Sequence, residues 1–331
     1  MSLVDAIKRD ALELGFDAVG IAAVSVPPRP DSVVSRLRTW LQRGYHGTMA
    51  WMSRRPERRG NPDLVLPGCR SIVSVGINYN TGDRAVEGPG YGRIARYAWG
   101  ADYHDVLGPR LKELEARIQA RVPEAHTRSY VDTGPVMEKY WAQQAGLGWI
   151  GKHSNLVSPD FGSWLLLGEV LTTLDLPPDL PGSDLCGSCS LCIQACPTDA
   201  IPEAYVVDAT RCISYLTIEF RGPREDIPER LSEQMGRHLF GCDDCLDICP
   251  FNLRGDPTSE PAFVPTETTK APRLSVLQSL DEGAFQEAFR RSPIRRAKYE
   301  GFQRNLAIAR RNDEALRTSS SFTLPSLDQE E

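Results

Sequence analysis

The chain has 331 residues, 41% hydrophobic and 25% charged, with a formal net charge of −6; that length gives a prior of about two domains, each able to bury a core. The acidic balance excludes uniform nucleic-acid affinity, although a mean leaves room for a local basic patch. No run approaches the roughly 18 apolar residues of a membrane span, and the start, MSLVDAIKRDALELGF, lacks the zones of an export signal, so a cytoplasmic protein with no membrane partner is expected.

In chain order, apolar periodicity predicts helices over 3–14, 32–43, 103–121 and 135–145. Aliphatic runs predict strands over 70–77, 127–131 and 163–171. The alternation implies an α/β or α+β domain over 1–180, its sheet covered by helices. The Pro-rich stretch 175–184 (DLPPDLPGSD) marks a boundary, and a cysteine-rich module follows over 181–255. A Pro/Thr-rich stretch, 256–273, leads to helices near 282–290 and 293–312, in a C-terminal segment over 256–315. The tail 316–331 is expected to be disordered.

Eight of the nine cysteines fall between residues 186 and 249. Such clustering in a reducing compartment points to metal ligation rather than disulfides. Cys186-GS-Cys189-SL-Cys192-IQA-Cys196-Pro197 is the bacterial ferredoxin run C-x2-C-x2-C-x3-C-P, whose fourth cysteine reaches the other cluster. Cys242-DD-Cys245-LDI-Cys249-Pro250 lacks one cysteine of that run, and Cys212 is the remote substitute. The crossing rule assigns Cys186, Cys189, Cys192 and Cys249 to one [4Fe–4S] cluster, and Cys196, Cys212, Cys242 and Cys245 to the other. Zinc also uses C-x2-C pairs, but two C-x3-C-P endings are the ferredoxin pattern. Cys69, before an apolar strand, reads as a small buried hydrophobe.

Two further patterns lack the context their chemistry needs. Gly146-L-Gly148-W-I-Gly151 matches the dinucleotide fingerprint in letters, but a helical pattern precedes it where a strand is required. Asp102-Y-His104-DVLG nearly matches a cobalamin-ligating D-x-H-x-x-G, but Gly108 falls one residue late, and Tyr103 and His104 read as a helix start. Asp132, after an apolar strand, is open to two readings from the residues alone. It is either an acid whose partial burial raises its pKa, or the cap of a helix starting near Pro135.

Taken together, Arg96-YAWGADYH, Tyr130-VDTGPVMEK, Ala145-GLGWIGKHSNLVSPDFGSWLLLGE, both cysteine motifs, Arg211-CISYLTIE and Gly301-FQRNLAIARRN resemble the epoxyqueuosine reductases. These enzymes complete synthesis of the tRNA wobble base queuosine, and the matching stretches run from about residue 90 to 312. The resemblance implies an α+β fold: a nitroreductase-like cobalamin-binding domain, a ferredoxin-like two-cluster module and a short C-terminal helical segment. It implies reductive deoxygenation of epoxyqueuosine in tRNA, with cobalamin reduced through two [4Fe–4S] clusters. Asp132 becomes the proton donor, and the loop with Lys152, Ser154, Asn155, Leu156 and Ser158 becomes the corrin seat beside Asp132. The failed histidine motif implies base-off cobalamin. The expected substrates are tRNAs of the Tyr, His, Asn and Asp type, with an external low-potential electron donor and a monomeric protein. Longer members continue into a helical-repeat domain, whose tRNA contacts would be missing here.

A reductive dehalogenase also pairs cobalamin with two clusters, but usually carries a twin-arginine signal that this start lacks. A ferredoxin-like carrier leaves some 180 N-terminal residues unexplained. A tRNA-binding module with structural clusters is a third reading. Residues 290–311 carry eight positive charges against Glu300 alone, and 54–59 (RRPERR) adds Arg54, Arg55, Arg58 and Arg59 against Glu57. Charge of one sign suits phosphate contacts, with Arg295, Arg296 and Arg304 the leading candidates and Phe302 a packing residue.

Overall fold

The computed structural model describes residues 2–24, 33–253 and 255–320. Its strands are β1 (Ala18–Ala23), β2 (Ser71–Asn78), β3 (Arg93–Ile94), β4 (Thr127–Tyr130), β5 (Trp149–Ile150), β6 (Leu156–Val157), β7 (Leu165–Thr172) and β8 (His238–Phe240). Four of them form an antiparallel sheet in the order β1-β2-β7-β4. Helices α1 (Leu3–Glu13), α2 (Val33–Gln42), α3 (Ala50–Ser53), α4 (Pro56–Gly60), α5 (Tyr103–Arg121) and α6 (Glu138–Gln144) belong to the same N-terminal half. Ser2 starts α1 with a reciprocal cap: its hydroxyl accepts the Asp5 N–H, and the Asp5 carboxylate accepts the Ser2 N–H.

Side chains alternate across a strand, so the sheet feeds two cores. Val73, Val75 and Val170 face one side, where α1 and α5 bring Ile7, Ala11, Leu107, Leu111, Leu114 and Ile118. Ile72, Leu165 and Leu171 face the other, against Trp141, Ala142 and Ala145 around α6. Burying each large aliphatic side chain contributes about 1.5–3 kcal/mol. Leu111 is 1% exposed and lies so close to Gly168 that a Cβ there would sit 2.9 Å from it. Truncating Leu111 to Ala would cost about 2–5 kcal/mol.

The cysteine module holds α7 (Leu191–Gln194), α8 (Ile213–Ile218), α9 (Glu229–Gln234) and α10 (Asp244–Asp247). It is tied to the sheet domain by parallel pairing of β3 with β8. Beyond it come α11 (Glu267–Lys270), α12 (Leu274–Gln278), α13 (Glu282–Ala288) and α14 (Lys298–Ser320). This last segment shares one core with the others: Phe285, Phe289 and Phe302 pack with Ile94, Trp99, Leu239 and Phe240. Asn305, fully buried, donates to the carbonyls of Thr217 and Leu239, at 2.9 Å each, and fixes α14 against the cysteine module.

Three expectations change. α6 starts at Glu138 rather than near Pro135. Pro293–Ala297 is a separate 3-10 turn, and α14 begins only at Lys298, whose φ of 59° breaks the path between them. α14 then runs to Ser320, so 316–320 are helical; the rest of the expected disordered tail lies outside the described residues. Among the described residues no helix is long and apolar enough to cross a membrane.

Candidate functional site

The two cysteine loops fold back towards one another, and their thiols sort into two groups by what each one feels. Cys192 is pushed up by burial and then by Cys186, Cys249 and Cys189. Cys249 is raised by burial first, with Cys186 and Cys189 adding to it. In the second group burial again dominates: Cys242 also feels Asp244, Cys212 and Cys245, and Cys245 feels Cys212, Asp243 and Cys196 and, last, Cys192. The strongest couplings thus link Cys192 and Cys249 with Cys186 and Cys189, and Cys212, Cys242 and Cys245 with one another and with Cys196. A metal cluster that takes such thiols as thiolates releases their protons on binding. Amide and indole donors already point at sulfur: Trp149 Nε1 to Cys186 Sγ at 3.4 Å, and the Ala200 N–H to Cys196 Sγ at 3.2 Å. Cys69 lies apart, 1% exposed, its thiol pushed up to about 11 by burial.

A cavity of about 230 Å³ opens where the sheet domain meets the second group of cysteines. Tyr97, Lys139, Asn155, Leu156 and Ser163 line it together with Cys242. Lys139 Nζ donates to Asn155 Oδ1 at 3.0 Å. The residue is exposed at the cavity, yet protein packs closely around its ammonium, and that desolvation pulls its pKa down. Close by, Ser154 Oγ, Ser163 Oγ and His153 Nε2 are buried with no hydrogen-bond partner among the described residues.

Of the loop expected to seat a cofactor, Asn155 and Leu156 reach this cavity. Lys152 turns away, its Nζ donating to the carbonyls of Gly187 (2.6 Å) and Cys189 (2.8 Å), and so braces the first cysteine loop. Ser158 Oγ accepts the Asp160 and Phe161 N–H groups and stabilises its own turn. Gly146 and Gly148 lead out of α6 into β5 and Gly151 follows that strand, so the fingerprint does not run from a strand into a helix. They allow close backbone passage instead: a Cβ on Gly148 would lie 2.1 Å from the Val157 carbonyl oxygen.

Asp132 stands on the loop after β4 with φ 51°, in the left-handed region that a non-glycine residue adopts only when its surroundings hold it there. It is exposed, not half-buried as expected. Nor does it cap α6, whose N-cap residue is Met137. Tyr103 Oη donates to Asp132 Oδ2 at 2.9 Å, and the Asp132 N–H donates to Glu138 Oε1 at 2.6 Å. The raised carboxyl belongs to Glu138, which burial and then the Asp132 charge push up to about 8. Asp102 caps α5 by accepting the His104 N–H, and His104 Nδ1 lies 2.7 Å from Asp102 Oδ1, so this histidine is a helix-start residue.

Charge converges on Asp132 from distant segments. Arg59, packed over the Trp51 ring at 5.1 Å, and Arg296 both lie in its field. Arg296 also pairs with Glu219 at 2.8 and 3.1 Å. Arg295 contacts Gln286 Oε1 at 3.1 Å on an exposed face. Arg304 is committed inward, donating to the carbonyls of Leu216 (2.7 Å), Phe220 and Gly222 (2.9 Å each), and Phe302 is fully buried. Tyr103, Glu138 and Lys139 were not singled out as site residues from sequence, and Arg59 only as part of a basic stretch. The one available signal was the charged pair Glu138-Lys139 inside the apolar run PVMEKYWAQQA.

Two cysteine runs of ferredoxin spacing, joined to an α+β domain with a polar cavity and a loop acid, define an iron–sulfur oxidoreductase. The family described as 4Fe-4S double cluster binding domain matches residues 185–252, and the one described as epoxyqueuosine reductase QueG, DUF1730, matches residues 59–133. The epoxyqueuosine reductase of Synechocystis sp. is 44% identical over 288 residues, covering 87% of this chain and 98% of the relative. A crystal structure of epoxyqueuosine reductase with an epoxyqueuosine-modified tRNA-Tyr stem loop superposes with a TM-score of 0.86 at 30% identity, covering 98% of this chain and 86% of that one. Another, from Bacillus subtilis with its catalytic loop swung out of the active site, gives 0.86 at 29% identity, over 96% and 84%. The chain belongs to the epoxyqueuosine reductase family.

Proposed function

We propose that the chain removes the epoxide oxygen of epoxyqueuosine in tRNA, leaving queuosine, with two [4Fe–4S] clusters feeding electrons to a cobalamin beside Lys139. The observation that carries this reading is the shared cavity, lined by Cys242 of one cysteine group and by Lys139 and Asn155 of the sheet domain. Cys186, Cys189, Cys192 and Cys249 would hold the outer cluster, and Cys196, Cys212, Cys242 and Cys245 the one at the cavity.

The residues present fit an amide-rich macrocycle. Unpartnered Ser154 and Ser163 hydroxyls, the free His153 nitrogen and the Lys139–Asn155 pair offer both donors and acceptors, and Leu156 offers an apolar wall. Bound there, cobalamin would supply the strong nucleophile and reductant that no side chain provides. The sheet domain with its helices is then read as the nitroreductase-like cobalamin domain.

Asp132 is read as the acid that protonates the departing oxygen, with its loop held by Tyr103 and Glu138. Arg295 and Arg296 would meet tRNA phosphates, while Arg304 keeps α14 in place behind them. The reading includes tRNAs of the Tyr, His, Asn and Asp type, a cytoplasmic monomer, and an external low-potential donor. The test is a single turnover of an epoxyqueuosine-modified stem loop by cluster- and cobalamin-loaded protein under reducing conditions. Formation of the queuosine alkene supports the reading, and its absence in fully loaded protein rejects it.

A further inference from the structure

Removing an epoxide oxygen consumes more protons than one exposed carboxyl can carry. Both C–O bonds break, the C=C bond forms, and the oxygen leaves as water after gaining two protons and two electrons. The electrons come from the external low-potential donor through the clusters. Asp132 can hand over one proton at a time, so within each turnover a second proton must reach the site.

The groups around Asp132 differ in their fitness for that task. The Tyr103 phenol donates to Asp132 Oδ2, but burial and then the Asp132 charge hold its pKa far up, so it keeps its own proton. His104, raised by its bond to Asp102, has no hydrogen bond to Asp132 and spends Nδ1 on Asp102. Glu138 is different. Its Oε1 accepts the Asp132 main-chain N–H at 2.6 Å, which seats its carboxyl against the residue it would serve. Burial and the Asp132 charge push it up to about 8, while the bond from the Asp132 N–H and then Lys139 and His104 pull the other way. On β7, fully buried Glu169 accepts from Ser74 Oγ through Oε2, and its Oε1 has no partner among the described residues. Glu169 is also raised by burial and feels Glu138.

We propose that Glu138 is the proton store behind Asp132: its carboxyl group holds a proton in reserve and passes it to Asp132, directly or through one water, during reduction of the epoxide. The inference rests on the epoxide-reducing reading above. Glu138 acts through Asp132 and does not touch the substrate, so it is a relay and positioning residue.

The sign of its pH dependence is fixed. A carboxyl raised to about 8 keeps its proton below that pH and loses it above. The wild-type single-turnover rate should therefore hold from pH 6 to about 8 and then fall, approaching tenfold per unit. Glu138→Gln keeps an oxygen for the Asp132 N–H but has no proton to give. It should be slowed about 10–100-fold, less than the roughly 10²–10⁴ of a lost direct acid because Glu138 acts through Asp132, and should lose the break near 8. Glu138→Asp should restore part of the rate and the break. Without substrate, infrared difference spectra of the loaded protein should show a protonated carboxyl that titrates near 8 in wild type and is absent in Glu138→Gln. Iron content and circular dichroism confirm that the variants fold. A Glu138→Gln enzyme with the wild-type rate and the same break reduces Glu138 to a clamp and overturns the proposal, as does an infrared band unaffected by the substitution. Wild-type protein that never forms the alkene rejects the epoxide reading itself, a separate result.

Discussion

Tyr103 Oη donates to Asp132 Oδ2 at 2.9 Å, so the first residue of α5 anchors the acid of a loop 29 positions further on. That bond and the Glu138 carboxyl hold Asp132 at φ 51°. Replacing Asp132 by Asn preserves size and an acceptor for Tyr103, but removes the acid. Single-turnover rate should fall by about 10²–10⁴, with both clusters intact by iron content. Tyr103→Phe leaves the acid and loosens its loop, so a smaller loss is expected. Near-normal turnover of Asp132→Asn would return that residue to a purely structural role.

Anaerobically purified protein should contain about eight iron atoms per chain, from two four-iron clusters. Cys212→Ala should remove one cluster and leave the other largely assembled, because Cys212 belongs only to the group with Cys242 and Cys245. Cys69→Ala should leave iron unchanged, since its buried thiol faces the sheet core. Iron analysis and electron paramagnetic resonance read both outcomes. Stoichiometric zinc, or iron loss in Cys69→Ala, would undo the assignment.

The double-cluster module was legible because the short spacings of its two cysteine runs are local, whereas the assignment of Cys249 and the remote Cys212 rests on the ferredoxin crossing rule. α5 was read at its full span, 103–121, because Leu107, Leu111, Leu114 and Ile118 recur at helical spacing. β1 was missed. Its sequence, AVGIAA, is too small-sided to signal a strand, and it is one because it pairs with β2 from Ala18↔Gly76 to Ala23↔Ser71. The start of α6 was placed too early because Pro135 suits a first helical turn, yet the chain stays irregular until Glu138. The Asp132 neighbourhood was hidden for a different reason. Arg59, Tyr103, Glu138 and Arg296 come from four separate segments, and only the folded chain brings their charges together.

Glu169 makes stability depend on pH. Fully buried beside Ser74, it has a folded pKa raised well above its ordinary value by desolvation. The folded state therefore binds this proton more tightly than the unfolded state. That contribution is fully present below the unfolded carboxyl range and is lost as pH rises towards the folded pKa. Glu169→Gln removes the titration. The gap in thermal midpoint between variant and wild type should move in the variant's favour from pH 5 to pH 9. A gap that stays constant across that range would mean Glu169 does not titrate between the two states.

The arginines of the C-terminal segment should separate into two kinds. Arg304 faces inward, with its guanidinium meeting the carbonyls of Leu216, Phe220 and Gly222, and burial pulls its pKa down to about 10. It is still charged at neutral pH, but its donors are spent on protein. Arg304→Ala strands those carbonyls, at about 1–3 kcal/mol for each one left buried without a donor, so its main effect should be a lower thermal midpoint. Arg295 and Arg296 sit on an exposed face, and Arg296 lies within the field of Asp132. Its pairing with Glu219 is more than half exposed on the arginine side, so it is easily exchanged for a phosphate. Replacing both by Ala should spare the thermal midpoint and weaken binding of a tRNA stem loop. It should also flatten the salt dependence by about one slope unit per lost phosphate contact. Binding isotherms at several salt concentrations measure both quantities. Affinity indifferent to these two arginines would move the docking face elsewhere, with Arg54, Arg55 and Arg58 around Trp51 the next basic surface to test.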